Sequence, residues 1–254
     1  MKKRVGMIMI VLGSVFLMVG VASAQQMLLP GASIPKFAEP LPVAGAISVI
    51  DATSAGTPAY NIHISEFQSQ ILPQVMPAGV CPAGTASWVW GYLTDADLPA
   101  GSTVRPSYLG PVVVAERGVP ASPSYFNELP LISNVQPLLP IDMTLDWANP
   151  ENISCAPDPA GNYTNPLCGL LGGFTGAMPT ATHIHGGEVP PAFDGGPDAW
   201  ETSTGVTGIG FPGNTYNYPN GQQEATIWFH DHALGLTRLN VYAGLAGFYL
   251  IRDA

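Results

Sequence analysis

The sequence predicts an all-β protein, a sandwich or barrel of short strands joined by turns. Charged residues make up only 10% of the chain, while glycine (29) and proline (26) are abundant. That composition favours turns and closely spaced strands over helices. Short runs of alternating or β-branched residues recur along the chain with turn residues between them. Two His-X-His pairs, His183-Ile184-His185 and His230-Asp231-His232, fit the same class, because an extended strand points residues two apart to the same face.

Taken in order, the chain opens on an expected export signal over residues 1–24. Lys2, Lys3 and Arg4 form a basic start, Val5 to Gly20 an apolar stretch, and Ala22-Ser23-Ala24 a small-X-small cleavage site. The apolar stretch is short for a spanning helix, so no membrane anchor is expected and the protein is placed in the periplasm or outside the cell. Residues 25–58, rich in Pro, Ala, Gly and Ser, read as an irregular N-terminal arm laid over a single domain spanning 59–254. Strands are expected at Tyr60 to Ser65, Ser87 to Tyr92, Gly110 to Glu116, Pro120 to Asn127 and Ile141 to Leu145. Residues 148–180 cluster Pro, Gly and Asn and read as a long surface excursion. Glu224 to Phe229 and Gly247 to Arg252 read as the last strands, with a short helix between Ala233 and Gly244.

Charge excludes two classes of partner. Without the three basic residues of the export segment, five basic side chains face 18 acidic ones, a formal charge of −13. Such a chain is repelled by phosphate backbones and anionic lipid surfaces, so neither nucleic acid nor membrane binding is expected. Three cysteines remain after export, where disulfides persist. Cys155 and Cys168 lie close enough in the loop region to close a small ring. Cys81 has no obvious partner, and three thiols leave three possible single bridges.

The histidines carry the chemistry. Each pair presents two imidazoles on one face, about 6–7 Å apart along a strand, and neutral imidazole suits copper, zinc, iron and nickel. The second pair lies in the apolar run Ala225-Thr226-Ile227-Trp228-Phe229 to Leu236, and imidazoles in such surroundings need partners that a metal supplies. Gly186-Gly187 after the first pair lets the chain turn sharply. His63, far along the chain in an alternating strand, reads as a packing or surface residue.

These residues resemble the multicopper oxidases, in the branch of bacterial spore-coat laccase and bilirubin oxidase. The resemblance rests on Thr182-His183-Ile184-His185-Gly186-Gly187, Pro190-Pro191, Asp194-Gly195, Ala199-Trp200, Trp228 to Ala233 and Thr237 to Gly247. Earlier segments match as well, among them Trp90-Gly91-Tyr92 and Tyr108 to Pro111. It implies a cupredoxin-like Greek-key β-sandwich or barrel with long loops, the first of three such domains. It also implies copper: His183 would bind the type 2 copper, and His185, His230 and His232 the type 3 pair of a trinuclear cluster that reduces dioxygen to water. A reducing substrate, whether a phenol, a bilirubin-like molecule or a metal ion, would supply the electrons through a type 1 copper. Asp194 matches an acidic residue that acts near the cluster as proton donor or hydrogen-bond orienter. The plainer reading of Asp194 is a loop carboxylate capping the turn before Gly195.

The family's later His-X-X-His-X-His and His-Cys-His motifs do not occur in these 254 residues. The resemblance is therefore to an N-terminal cupredoxin domain that supplies half of the cluster's histidines and needs the C-terminal cupredoxin domains as partners. By itself the polypeptide is expected to lack oxidase activity. Its histidine face should leave apolar surface uncovered near Trp228, Phe229 and Leu234. Two further readings are a non-catalytic exported copper-binding domain, and a cupin-type metal enzyme in which Glu188 would join His183 and His185.

Overall fold

The computed structural model describes residues 29–38, 47–54, 56, 58–73, 75–77, 85–98, 104–131, 141–168 and 173–254; the export segment and Cys81 lie outside them. Among these residues, eight strands and one α-helix follow in order: β1 (Val49–Ala52), β2 (Ala59–Ser69), β3 (Ser87–Thr94), β4 (Val112–Glu116), β5 (Ser122–Asn127), β6 (Thr182–His185), β7 (Ala225–Asp231), α1 (Thr237–Ala243) and β8 (Ala246–Arg252). They form two open sheets, one ordered β1-β4-β8-β7-β6 and one β3-β2-β5. The result is a sandwich and not a closed barrel. β4 runs parallel to both β1 and β8, while β7 is antiparallel to β8 and β6.

The alternation that announces the strands also builds the core. In β4 the inward Val113 and Ala115 are buried, and in β5 Tyr125 is, whereas their neighbours in sequence are half-buried. Ile62, Ile64, Trp90 and Tyr92 of the small sheet meet Ile184, Phe229, Tyr249 and Ile251 of the large one in a single cluster. Phe229 sits at its centre, fully buried, with its ring 4.9 Å from Tyr92. A side chain of this size contributes about 1.5–3 kcal/mol on burial. Across the sheet Phe229 pairs with Gly247, where any Cβ would strike the Phe229 ring.

Three expectations are corrected. Ile141 to Leu145 is a turn, not a strand: Asp142 Oδ1 accepts bonds from the Thr144 backbone N–H (3.0 Å) and hydroxyl (2.6 Å), which bends the chain locally. Val49–Ala52, inside the segment read as an irregular arm, forms β1 and pairs in register with Val112 to Ala115. Its β-branched residues are hidden in sequence by the Gly, Ala and Ser around them. Residues 148–180 are irregular where described but do not merely cross the surface. Ala148, Phe174 and Met178 are buried, and Phe174 packs edge-on against Trp147 at 5.0 Å. A disulfide joins Cys155 to Cys168 across this region, with Cα atoms 5.4 Å apart.

His63 stands apart from the other histidines. Its Nδ1 lies 2.8 Å from Glu128 Oε1 and its Nε2 2.9 Å from Asp95 Oδ1. A neutral ring has one N–H and satisfies one of these carboxylates; the imidazolium satisfies both. Burial opposes the charge, but the two carboxylates outweigh it and hold His63 above the usual imidazole range. A raised folded pKa stabilises the protein below the unfolded value of about 6.5 and loses that stabilisation as pH rises through the folded value. Thermal melts of the wild type should therefore fall, as pH rises above about 6.5, relative to those of a His63→Gln variant. Parallel pH profiles in the two proteins would contradict this brace.

Candidate metal centre

β6 and β7 bring the two histidine pairs together. They are antiparallel with His183 opposite His230 and His185 opposite Trp228. Within β6, Ile184 points into the core and its flanking histidines point out; within β7, His230 follows the inward Phe229. Pairing in this register places all three strand histidines on the outer face, and His232 joins them just past the end of β7. Ring centroids lie 5.5 Å apart for His183 and His185, 5.4 Å for His183 and His230, 4.9 Å for His183 and His232, and 5.3 Å for His185 and His230.

The ring nitrogens divide into anchors and free donors. His183 Nδ1 lies 2.6 Å from the Asp194 carbonyl and His230 Nδ1 2.7 Å from its neighbour's carbonyl at Asp231. Each must carry its proton there, so each leaves an Nε2 lone pair free. His185 Nδ1 faces His230 Nε2 at 3.0 Å. Two nitrogens each about 2.0–2.1 Å from one ion stand about 3 Å apart when they bind at right angles, so this spacing fits a shared metal. Nitrogens of His183, His185 and His230 all lie within 4.8 Å of one another. His232 falls outside that trio, yet its Nδ1 is buried without a hydrogen-bond partner among the described residues. An imidazole nitrogen in that condition calls for a ligand.

Electrostatics favour the metal-binding form. Burial, helped by the surrounding imidazoles, holds both His230 and His232 below the usual imidazole range. Both are therefore neutral at pH 7, as a ligand must be. Trp228 covers one side of the group, its ring 4.2 Å from His230 and 5.3 Å from His185. The Asp194 carboxylate, partly exposed, stands 3.5 Å from His183 Nδ1. Glu188 is exposed in the turn beyond β6 and does not join the group.

Two buried polar residues beside the histidines escaped the sequence reading. Asp231, between the two histidines of the second pair, is fully buried, and its carboxyl is pushed up to about 7 by that burial against the donors that surround it. Asn240 of α1, also fully buried, is one of those donors. The available signal was an acid at an inward position of an apolar strand. Conversely, Phe229 is not part of the uncovered surface: it faces inward, while Trp228, one residue earlier, is 37% exposed.

A multicopper oxidase family model matches residues 177–254, the segment holding both histidine pairs. Among curated relatives, a laccase of Bacillus stratosphericus is 40% identical over 161 residues, covering 62% of this chain and 26% of its own. A laccase of Haloferax volcanii is 34% identical over 223 residues, covering 86% of this chain and 31% of its own. Among solved structures, a multicopper oxidase from Pediococcus acidilactici superposes with a TM-score of 0.50 at 20% identity, over 87% of this chain and 31% of that one. That likeness speaks to the fold, an all-β cupredoxin-like sandwich. The chain belongs to the multicopper oxidase family. Copper is the family's metal, and the imidazole set described above suits it. The chain spans between a quarter and a third of the length of these relatives.

Proposed function

We propose that this domain supplies four imidazoles to the oxygen-reducing copper centre of an exported, laccase-like oxidase. The observation that carries the reading is the convergence of His183, His185 and His230 from two strands, with His185 Nδ1 and His230 Nε2 3.0 Å apart. In this reading His183 holds the type 2 copper through Nε2, and His185, His230 and His232 hold the type 3 pair. Bound copper would supply one-electron redox chemistry and affinity for dioxygen. The chain's own part is to orient the imidazoles: the Asp194 carbonyl fixes the His183 ring and the Asp231 carbonyl fixes the His230 ring. In the same reading the Asp194 carboxylate, 3.5 Å from His183 Nδ1, would pass a proton toward the site.

The remaining ligands and the electron-accepting type 1 copper are assigned to the further cupredoxin domains that the longer relatives have room for. Those domains would cover the outer sheet face next to the histidines. There a row runs across paired strands from Val49 through Val112 and Phe248 to Trp228, with Val49 50%, Phe248 46% and Trp228 37% exposed. An uncovered apolar row beside a polar site is the mark of an interaction surface. Lys2 to Ala24 would carry the protein out of the cytoplasm.

The test combines the copper-loaded polypeptide with the remaining cupredoxin domains of the Bacillus stratosphericus laccase. Dioxygen consumption with a phenol is expected in the mixture and not from the polypeptide by itself. Turnover or an intense blue thiolate-to-copper band from the polypeptide by itself would contradict the reading. So would a tight, copper-loaded mixture that stays inactive.

A further inference from the structure

The inward-facing middle residues of the two His-X-His pairs differ in kind. In the first pair it is Ile184, which packs in the core; in the second it is Asp231, equally inaccessible to solvent. An apolar residue at Asp231 would suit the core, and burying a carboxylate there costs free energy unless its bonds accomplish something else. Its bonds do not stay within its own strand. Oδ2 accepts from the Ala181 N–H at 2.9 Å. Oδ1 accepts from the Ala233 N–H at 3.2 Å and from Asn240 Nδ2 at 2.9 Å. Asn240 Nδ2 also donates to the Pro179 carbonyl at 3.0 Å, and the His232 N–H donates to the Ala181 carbonyl at 2.7 Å.

These contacts address a weakness of the site. β6 has four residues and, among the described residues, lies at the edge of its sheet, paired with β7 alone. A slip of one residue in such a strand would turn His183 and His185 toward the core and Ile184 outward. The residues that lead into β6, Pro179 to Ala181, are tied instead to the segment carrying the second pair and to α1.

We propose that Asp231, held by Asn240, is a positioning residue of the metal site that locks the first histidine pair in register with the second. The inference rests on the copper reading above and adds the element that sets the distance between the two pairs. Asparagine at 231 has nearly the same shape but turns one acceptor into a donor, which would face either the Ala181 N–H or the pair Asn240 Nδ2 and Ala233 N–H.

The test is copper titration of the full polypeptide, followed by the copper(II) electron paramagnetic resonance spectrum, for wild type, Asp231→Asn and Asn240→Ala. The Asp231 carboxylate itself bonds no imidazole among the described residues; losing contacts that orient metal ligands costs about 10–100-fold in affinity. A fall of that size with altered copper hyperfine splitting is expected for Asp231→Asn, and a smaller fall in the same direction for Asn240→Ala. Asn240→Ala also keeps the proposal testable where Asp231→Asn fails to fold. A folded variant with lower melting temperature but unchanged affinity and spectrum would show a purely structural role and overturn the proposal. Wild-type protein that binds no copper through its histidines would overturn the copper reading, and this proposal with it.

Discussion

Replacing His230 and His232 together with alanine is expected to weaken copper uptake at least about 100-fold, beyond the 10–100-fold that follows loss of an outer-shell partner. The size of the effect follows from how the site is built. His230 Nε2 is the nitrogen that faces His185 Nδ1 across the two strands, and His232 carries the buried, unpartnered Nδ1. Without them the first pair remains on a four-residue edge strand, and water replaces the lost ligands. Phe229, the neighbouring core residue, is untouched by the exchange, so the fold should persist. Titration monitored by bound-metal analysis gives the comparison. Equal stoichiometry and affinity in the two proteins would remove the four histidines from the account.

Gly195→Ala is expected to cost about 2–5 kcal/mol of stability and to disturb the same site from the other side. Gly195 has φ +73, a left-handed backbone that costs other residues about 1–2 kcal/mol. A Cβ there would collide with the Thr182 carbonyl oxygen and stand 2.7 Å from His183 Cα. Neither is a flexible side-chain end, so β6 itself must move, and overpacking of this kind adds about 1–3 kcal/mol. The displaced loop carries the Asp194 carbonyl that anchors His183 Nδ1, so copper affinity should fall along with the urea midpoint. Gly196→Ala is the control, since a Cβ at that position meets nothing within 4 Å. Similar stability for the two variants would contradict the close approach of loop and strand.

Much of this was legible in the sequence because period-two patterns determine both strand faces and histidine faces. Ile184 between two histidines, and Phe229 immediately before His230, already state which side chains turn inward. The last strand follows the same logic, and Gly244 at φ +130 ends the short helix α1. What escaped was set by contacts distant in sequence. β1 exists because Val49 to Ala52 find β4, and nothing local distinguishes them from the surrounding arm. Ile141 to Leu145 has a strand's composition, yet Asp142 bonds its own backbone two residues on and wins locally. Asp231 reads as a polar spacer between two ligands until Ala181 and Asn240 are seen to converge on it. His63 lies apart from the paired histidines in sequence, and its two carboxylate partners come from other segments of the chain.

On the reading proposed above, the imidazoles of His183, His185, His230 and His232 hold copper. Diffraction data collected at the copper absorption edge from crystals of the copper-loaded polypeptide test it most directly. An anomalous peak is expected within bonding distance of both His185 Nδ1 and His230 Nε2, with further copper density at His183 Nε2 and His232. Copper density located away from these four rings would contradict it.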